Sequence, residues 1–252
     1  MKGILITKGV TPGFLPGGIK LFDDALGTRK MSATMSLHYD VVGVWIRTAL
    51  NSLRTARLAW KSAKERISVN VDDVAVELLE TDFQHSMIVV VGFAISVDAF
   101  YARLSQFNGS PHAKSGNLRK APRYAQVAEQ FRLSYKVDNK IFSSIRLALK
   151  QLYELRDQAV HPSGKLAPAV LYPEIDRGVE VRFERFRSKV VSVVAQDSMN
   201  IIDYLTNKSE PINKKVEAFS KVTGKELQCI ISEYPDIFTA TPLPKQKIPD
   251  MT

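Results

Sequence analysis

The feature that most restricts this chain is one apolar run. Met87-Ile-Val-Val-Val-Gly-Phe-Ala-Ile-Ser-Val97 is the most apolar stretch of the 252 residues. It lies within a helical pattern reaching from about Val74 or Asp82 to Gln106. A helix that is apolar nearly all round cannot sit on a surface and must be enclosed by other elements. Gly92 inside it implies a close approach by a neighbouring helix. The run stops at Asp98, short of the roughly 18 to 20 residues that span a bilayer. It therefore predicts the core helix of a cytosolic protein, with no membrane partner.

Other segments supply the enclosure. From about Tyr39 to Arg66, Val42, Trp45, Ala49, Leu53, Ala56, Trp60 and Ala63 recur at helical spacing and form one apolar face. Ala121–Tyr135 reads as a shorter helix. Asp138 or Asn139 can cap the next helix, which runs to Val160 on an apolar face of Ile141, Ile145, Ala148, Leu149, Leu152 and Ala159. Ser188–Leu205 is a fifth helix, and shorter ones fall at 211–222 and 225–233. The prediction is an all-α fold, a helical bundle of four to five main helices. Residues 1–30, rich in glycine, form an irregular lead-in with a short strand at Ile4–Thr7. The bundle occupies 31–208, and 209–252 carries the short helices and a proline-bearing mobile tail. Extended pieces are expected at Ile67–Val71 and Val179–Phe186, and a loop at Asn108–Asn117.

The charge is unusual. Thirty-five basic against 26 acidic residues give +9 at pH 7, which favours an anionic partner such as RNA, DNA or an acidic protein. Arg47, Arg54, Arg57, Lys61 and Lys64 form a stripe along the first helix. It is either a solvated face or a phosphate-tracking surface. Arg119, Lys120 and Arg123 follow the glycine-rich loop. One cysteine, Cys229, excludes an intramolecular disulfide framework and a cysteine-rich zinc site. His38, His85, His112 and His161 show no metal-ligand spacing, so neither metal nor cofactor is expected.

Chemistry concentrates in Leu152-Tyr-Glu-Leu-Arg-Asp-Gln-Ala-Val-His161-Pro162. Proline disfavours the α conformation at the residue before it, so the helix should end at His161. Arg156 lies four after Leu152, seven after Leu149 and three before Ala159, all on the apolar face, so it points inward or into a cleft. Asp98 passes the same test against Val91, Ala94 and Ile95 and is its candidate partner. The pair is either a buried ion pair fixing the bundle register or part of a site. His161 is about 140° around the helix from Arg156 and reaches the same cleft only if the helix frays. Histidine can move a proton near neutrality, and arginine matches phosphate oxygens. Asp157 could orient both.

The segment Arg156-Asp157-Gln-Ala-Val-His161 resembles the Arg-polar-x3-His signature of HEPN domains. Ala94-Ile-Ser-Val-Asp98-Ala-Phe100 is similar to the Ser-x-acid-Ala-Phe run in an earlier core helix of that family. The resemblance covers about 80–165, extending toward 205. It implies a metal-independent endoribonuclease that cleaves RNA by 2′-OH attack, in a toxin–antitoxin, phage-defence or RNA-processing setting. By position Arg156 and His161 would be catalytic, with Asp157 as polar support and Asp98 as a site-organising acid. Arg54, Arg57, Lys61, Arg119 and Lys120 would guide the RNA. A homodimer and an antitoxin protein are the implied protein partners. In one toxin branch a tyrosine stands two after the histidine, where this chain has Ser163. Other members keep the fold without cleavage, so a non-catalytic interaction or nucleotide-binding module is the alternative.

Overall fold

A computed structural model describes residues 10–23, 27–39, 41–68, 73–109, 120–161, 169–172 and 177–238. The fold is an all-α bundle with short accessory strands. Its helices are α1 (Val41–Ile67), α2 (Asp73–Asn108), α3 (Arg123–Ser134), α4 (Asn139–Val160), α5 (Val181–Arg185), α6 (Ser188–Asp203) and α7 (Lys214–Glu233). A π turn at Tyr204–Lys208 continues α6.

As expected from its composition, α2 is the axis. It packs against α1, α3, α4, α6 and α7. Val89, Val90, Phe93, Val97, Phe100 and Leu104 are fully buried. By length and composition alone α2 could cross a membrane, but more than half of its most apolar window is buried inside the bundle. Burial is what an all-round apolar helix requires when other helices are present to supply it. Gly92 is the point of closest approach to α1. A Cβ there would lie 3.0 Å from Ala49 Cβ and 3.4 Å from the Trp45 carbonyl oxygen. Phe100 packs at a steep angle on Phe131 of α3 and in a tilted contact on Phe219 of α7, which ties three helices together.

Local signals account for several boundaries. The Asp138 carboxylate accepts the backbone N–H groups of Lys140 (2.8 Å) and Ile141 (3.4 Å), starting α4. Asn213 does the same for Lys215 and Val216 at the start of α7. The start of α6 is capped from another helix. Asp82 of α2, 3% exposed, accepts the Ser188 backbone N–H at 3.1 Å.

Three expectations are corrected. The described part of the expected irregular lead-in over 1–30 is extended: β1 (Val10–Asp23) pairs antiparallel with β2 (Arg29–Tyr39), which runs on into residues expected to belong to the bundle. The Gly-Pro cluster that suggested a loop sits at a register shift between Phe14 and Ile19. A two-stranded ribbon has two edges and tolerates proline and glycine at such a bulge. The expected strand at Ile4–Thr7 lies outside the described residues. Second, Val179–Phe186 is only partly extended. β3 (Ala169–Tyr172) pairs with β4 (Arg177–Glu180), and the chain then turns into α5. Third, the two short C-terminal helices are one. Thr223-Gly224 does not break α7, because Gly224 makes room for Asn207: a Cβ would stand 2.5 Å from its Oδ1. Most of Ile67–Val71, the Asn108–Asn117 loop and the tail beyond Phe238 fall outside the described residues.

Candidate functional site

The site builds from the C-terminal half of α4. Ile145, Leu149, Leu152 and Tyr153 are its buried residues. Arg156 continues that inward face, with 27% of its side chain exposed. The inward position read from spacing is therefore where the residue stands.

Asp98 does not serve as its partner. The Asp98 Oδ1 atom accepts from Arg123 Nε at 2.8 Å and from the Tyr153 hydroxyl at 2.7 Å, and Arg123 Nη2 lies 2.7 Å away. Arg123 also stacks over the Tyr101 ring, 4.2 Å from its centroid. Burial works against the Arg123 charge, but Asp98 more than offsets this and holds its pKa above the usual value. Burial, reinforced by the Asp98 charge, pushes the Tyr153 phenol well above its ordinary range, so it stays protonated and donates. Among the described residues no ion pair joins Asp98 to Arg156.

Arg156 is thereby left with weak company. Its Nε lies 3.2 Å from Asp157 Oδ1 without hydrogen-bond geometry, so this buried nitrogen has no hydrogen-bond partner in the described structure. Asp157 is itself 61% exposed and so is a solvated counter-charge. The guanidinium carbon stands 5.3 Å from the centroid of the Tyr153 ring, a cation–π distance. Tyr153 thus links the two halves: its hydroxyl holds Asp98 and its ring flanks Arg156.

His161 closes α4. Its φ of −123° and ψ of 66° leave the helical region, and its backbone N–H bonds to the Asp157 carbonyl at 2.8 Å. The side chain is exposed. The helix ends where proline was expected to end it. Among the described residues no hydrogen bond joins the imidazole to Arg156 or Asp157.

The basic stripe on α1 divides in two. Arg47 bonds Glu226 (3.0 Å) and Glu233 (3.1 Å) of α7. Arg54 grips both carboxylate oxygens of Asp236, at 2.5 and 3.2 Å, and lies 4.4 Å from the Tyr234 ring centroid. These arginines dock the C-terminal helix and the turn after it, so Arg54, 40% exposed, carries a bound counter-charge in Asp236. Arg57 donates to Ser192 Oγ and to the Asp236 carbonyl oxygen. Lys61 and Lys120 are exposed, and Arg119 lies outside the described residues. Among the described residues no hydrogen bond or ion pair joins Lys61 or Lys120 to the Arg156–His161 end.

Sequence reasoning singled out Asp98 and Arg156 and missed what separates them. Tyr153 stands three before Arg156, the spacing at which helical side chains meet. Arg123, noted only as part of a basic run, was the cation close enough to claim Asp98. No family model, curated protein or solved structure matches this chain.

Proposed function

We propose that the C-terminal end of α4 is a metal-independent endoribonuclease site in which Arg156 and His161 act on the RNA phosphodiester. One observation carries the reading: Asp98 is taken by Arg123 and Tyr153, which leaves Arg156 inward-facing with a buried Nε that no hydrogen bond satisfies. A guanidinium held in this way suits an incoming oxyanion, since an unpaired buried donor gains most from a charged acceptor.

The chemistry follows from the residue types. The 2′-oxygen attacks phosphorus as its proton passes to a base. The bond from phosphorus to the 5′-oxygen breaks as that oxygen takes up a proton. The products are a 2′,3′-cyclic phosphate and a 5′-hydroxyl. His161 serves one proton transfer and Arg156 stabilises the non-bridging oxygens of the phosphorane. In a homodimer, His161 of a second copy would supply the other transfer. Asp157 tempers the Arg156 charge, and Asp98 acts at one remove by fixing Tyr153. The Arg-polar-x3-His resemblance to HEPN domains supports the same assignment and, with it, a toxin–antitoxin or phage-defence setting with an antitoxin as protein partner.

A second reading has one observation in its favour. The His161 imidazole makes no hydrogen bond to Arg156 in the described structure, as suits a non-catalytic interaction module. End-group mapping of RNA incubated with the purified chain separates the two. Cyclic phosphate ends that vanish with His161→Ala support cleavage. Unchanged RNA, or cleavage that survives His161→Ala, rejects it.

A further inference from the structure

Toward the C-terminal end of α1, that helix and the first turns of α6 line an open cleft of about 370 Å³. This is within the size range of small-molecule sites. Arg57, Trp60 and Lys64 of α1 line one wall, and Ser188, Lys189 and Ser192 of α6 line the other. Three of the six lining residues are cations and none is an acid.

Arg57 is the anchor. Its Nε and Nη2 donate to Ser192 Oγ at 3.1 and 2.9 Å, and its Nη1 donates to the Asp236 carbonyl oxygen at 3.2 Å. Both acceptors are neutral groups. Among the described residues Arg57 forms no ion pair, because the Asp236 carboxylate is held by Arg54. Burial accordingly lowers its pKa, with Asp236 countering only at a distance. A guanidinium has five N–H donors in a fixed fork, so donors remain for a ligand. Lys64 and Lys189 stand exposed at the rim. The first backbone N–H of α6 is not available, since Ser188 donates it to Asp82. An anion entering here is therefore met by side chains. Trp60 adds an aromatic surface and is oriented by Tyr172, with ring centroids 5.3 Å apart at 60°.

We propose that this cleft binds a nucleoside monophosphate unit, either free or as the 5′-phosphorylated end of a strand, with the phosphate on Arg57, Lys64 and Lys189 and the base against Trp60. A guanidinium, two ammonium groups and an indole match a phosphate ester that carries a planar ring. The site is separate from Arg156 and His161 and stands whether or not that end of the molecule cleaves RNA.

Calorimetric titration of the whole chain tests it, with AMP, adenosine, inorganic phosphate, and an RNA trinucleotide bearing either a 5′-phosphate or a 5′-hydroxyl. Saturable binding of AMP or of the phosphorylated trinucleotide is expected, with adenosine and phosphate each at least about tenfold weaker. Which of the two binds more tightly distinguishes a free nucleotide from a strand end. Each of the exposed-site changes Lys64→Gln and Lys189→Gln should weaken binding about tenfold, the size of one charge-assisted contact. In a Trp45→Phe background, Trp60 fluorescence should change on the same isotherm. The proposal is overturned if neither phosphorylated ligand saturates, if adenosine, phosphate or the 5′-hydroxyl trinucleotide binds as well as the tighter phosphorylated ligand, or if the lysine changes leave affinity intact.

Discussion

The placement of Asp98 makes a quantitative prediction that a double-mutant cycle can test. Its Oδ1 lies 2.7 and 2.8 Å from two nitrogens of Arg123. With charge centres about 4 Å apart and an effective dielectric constant near 20, the raw attraction is about 4 kcal/mol. About a third of each side chain is exposed, 34% for Arg123 and 35% for Asp98, so solvent screening and the ordering of both chains reduce this to about 1–2 kcal/mol. Urea unfolding of the parent, Asp98→Asn, Arg123→Gln and the double variant should yield a coupling of that size. The parallel cycle of Asp98→Asn with Arg156→Gln should give less than half as much, since those side chains share no ion pair and communicate only through Tyr153. An Asp98–Arg156 coupling equal to or larger than the Asp98–Arg123 coupling would refute the assignment. It would restore the direct pair that helix spacing alone suggests.

Two further outcomes follow from the packing. Burial raises the Asp82 pKa to about 6 from 3.8, with hydrogen bonds from Ser188 and Ser86 opposing the rise. The folded state then holds the proton more tightly than the unfolded chain. Its contribution is fully present below about pH 4 and is lost as pH rises through about 6, a swing of about 3 kcal/mol. Denaturant unfolding of Asp82→Asn at several pH values should show that slope reduced, with the part due to Asp197, also raised to about 6 by burial, remaining. Gly92→Val should lower stability by about 1–3 kcal/mol through overpacking against α1, because even its Cβ would meet Ala49 at 3.0 Å. Thermal unfolding measures this, and an unchanged midpoint would mean that the two helices stand further apart.

The bundle was largely legible because its signals are local. The apolar run of α2, the 3–4 spacing of α1 and α4, and the Asp138 cap each act within a few residues. Where the reading failed, a distant partner decided the outcome. Gly224 looks like a helix breaker until Asn207 is brought beside it. The Gly-Pro cluster at 13–18 looks like a loop until β2 pairs with the strand that contains it. The site behaved in the same way. Spacing correctly turned Arg156 and Asp98 inward, but it cannot say which inward cation meets which inward acid, and Arg123 on α3 took Asp98. The arginines of α1 are the clearest case. Their spacing is that of a nucleic-acid stripe, and only the position of α7 shows that Arg47 and Arg54 serve as its docking surface.

The central claim is that Arg156 and His161 together cleave RNA, and single-turnover cleavage rates test it most directly. With the purified chain in excess over a labelled RNA, Arg156→Ala should slow cleavage about 10²–10³-fold and His161→Ala about 10²–10⁴-fold. Asp98→Asn should have a smaller effect, exerted through Tyr153. Parent, Arg156→Ala and His161→Ala chains that cleave at the same rate, or a parent that does not cleave at all, would contradict the account.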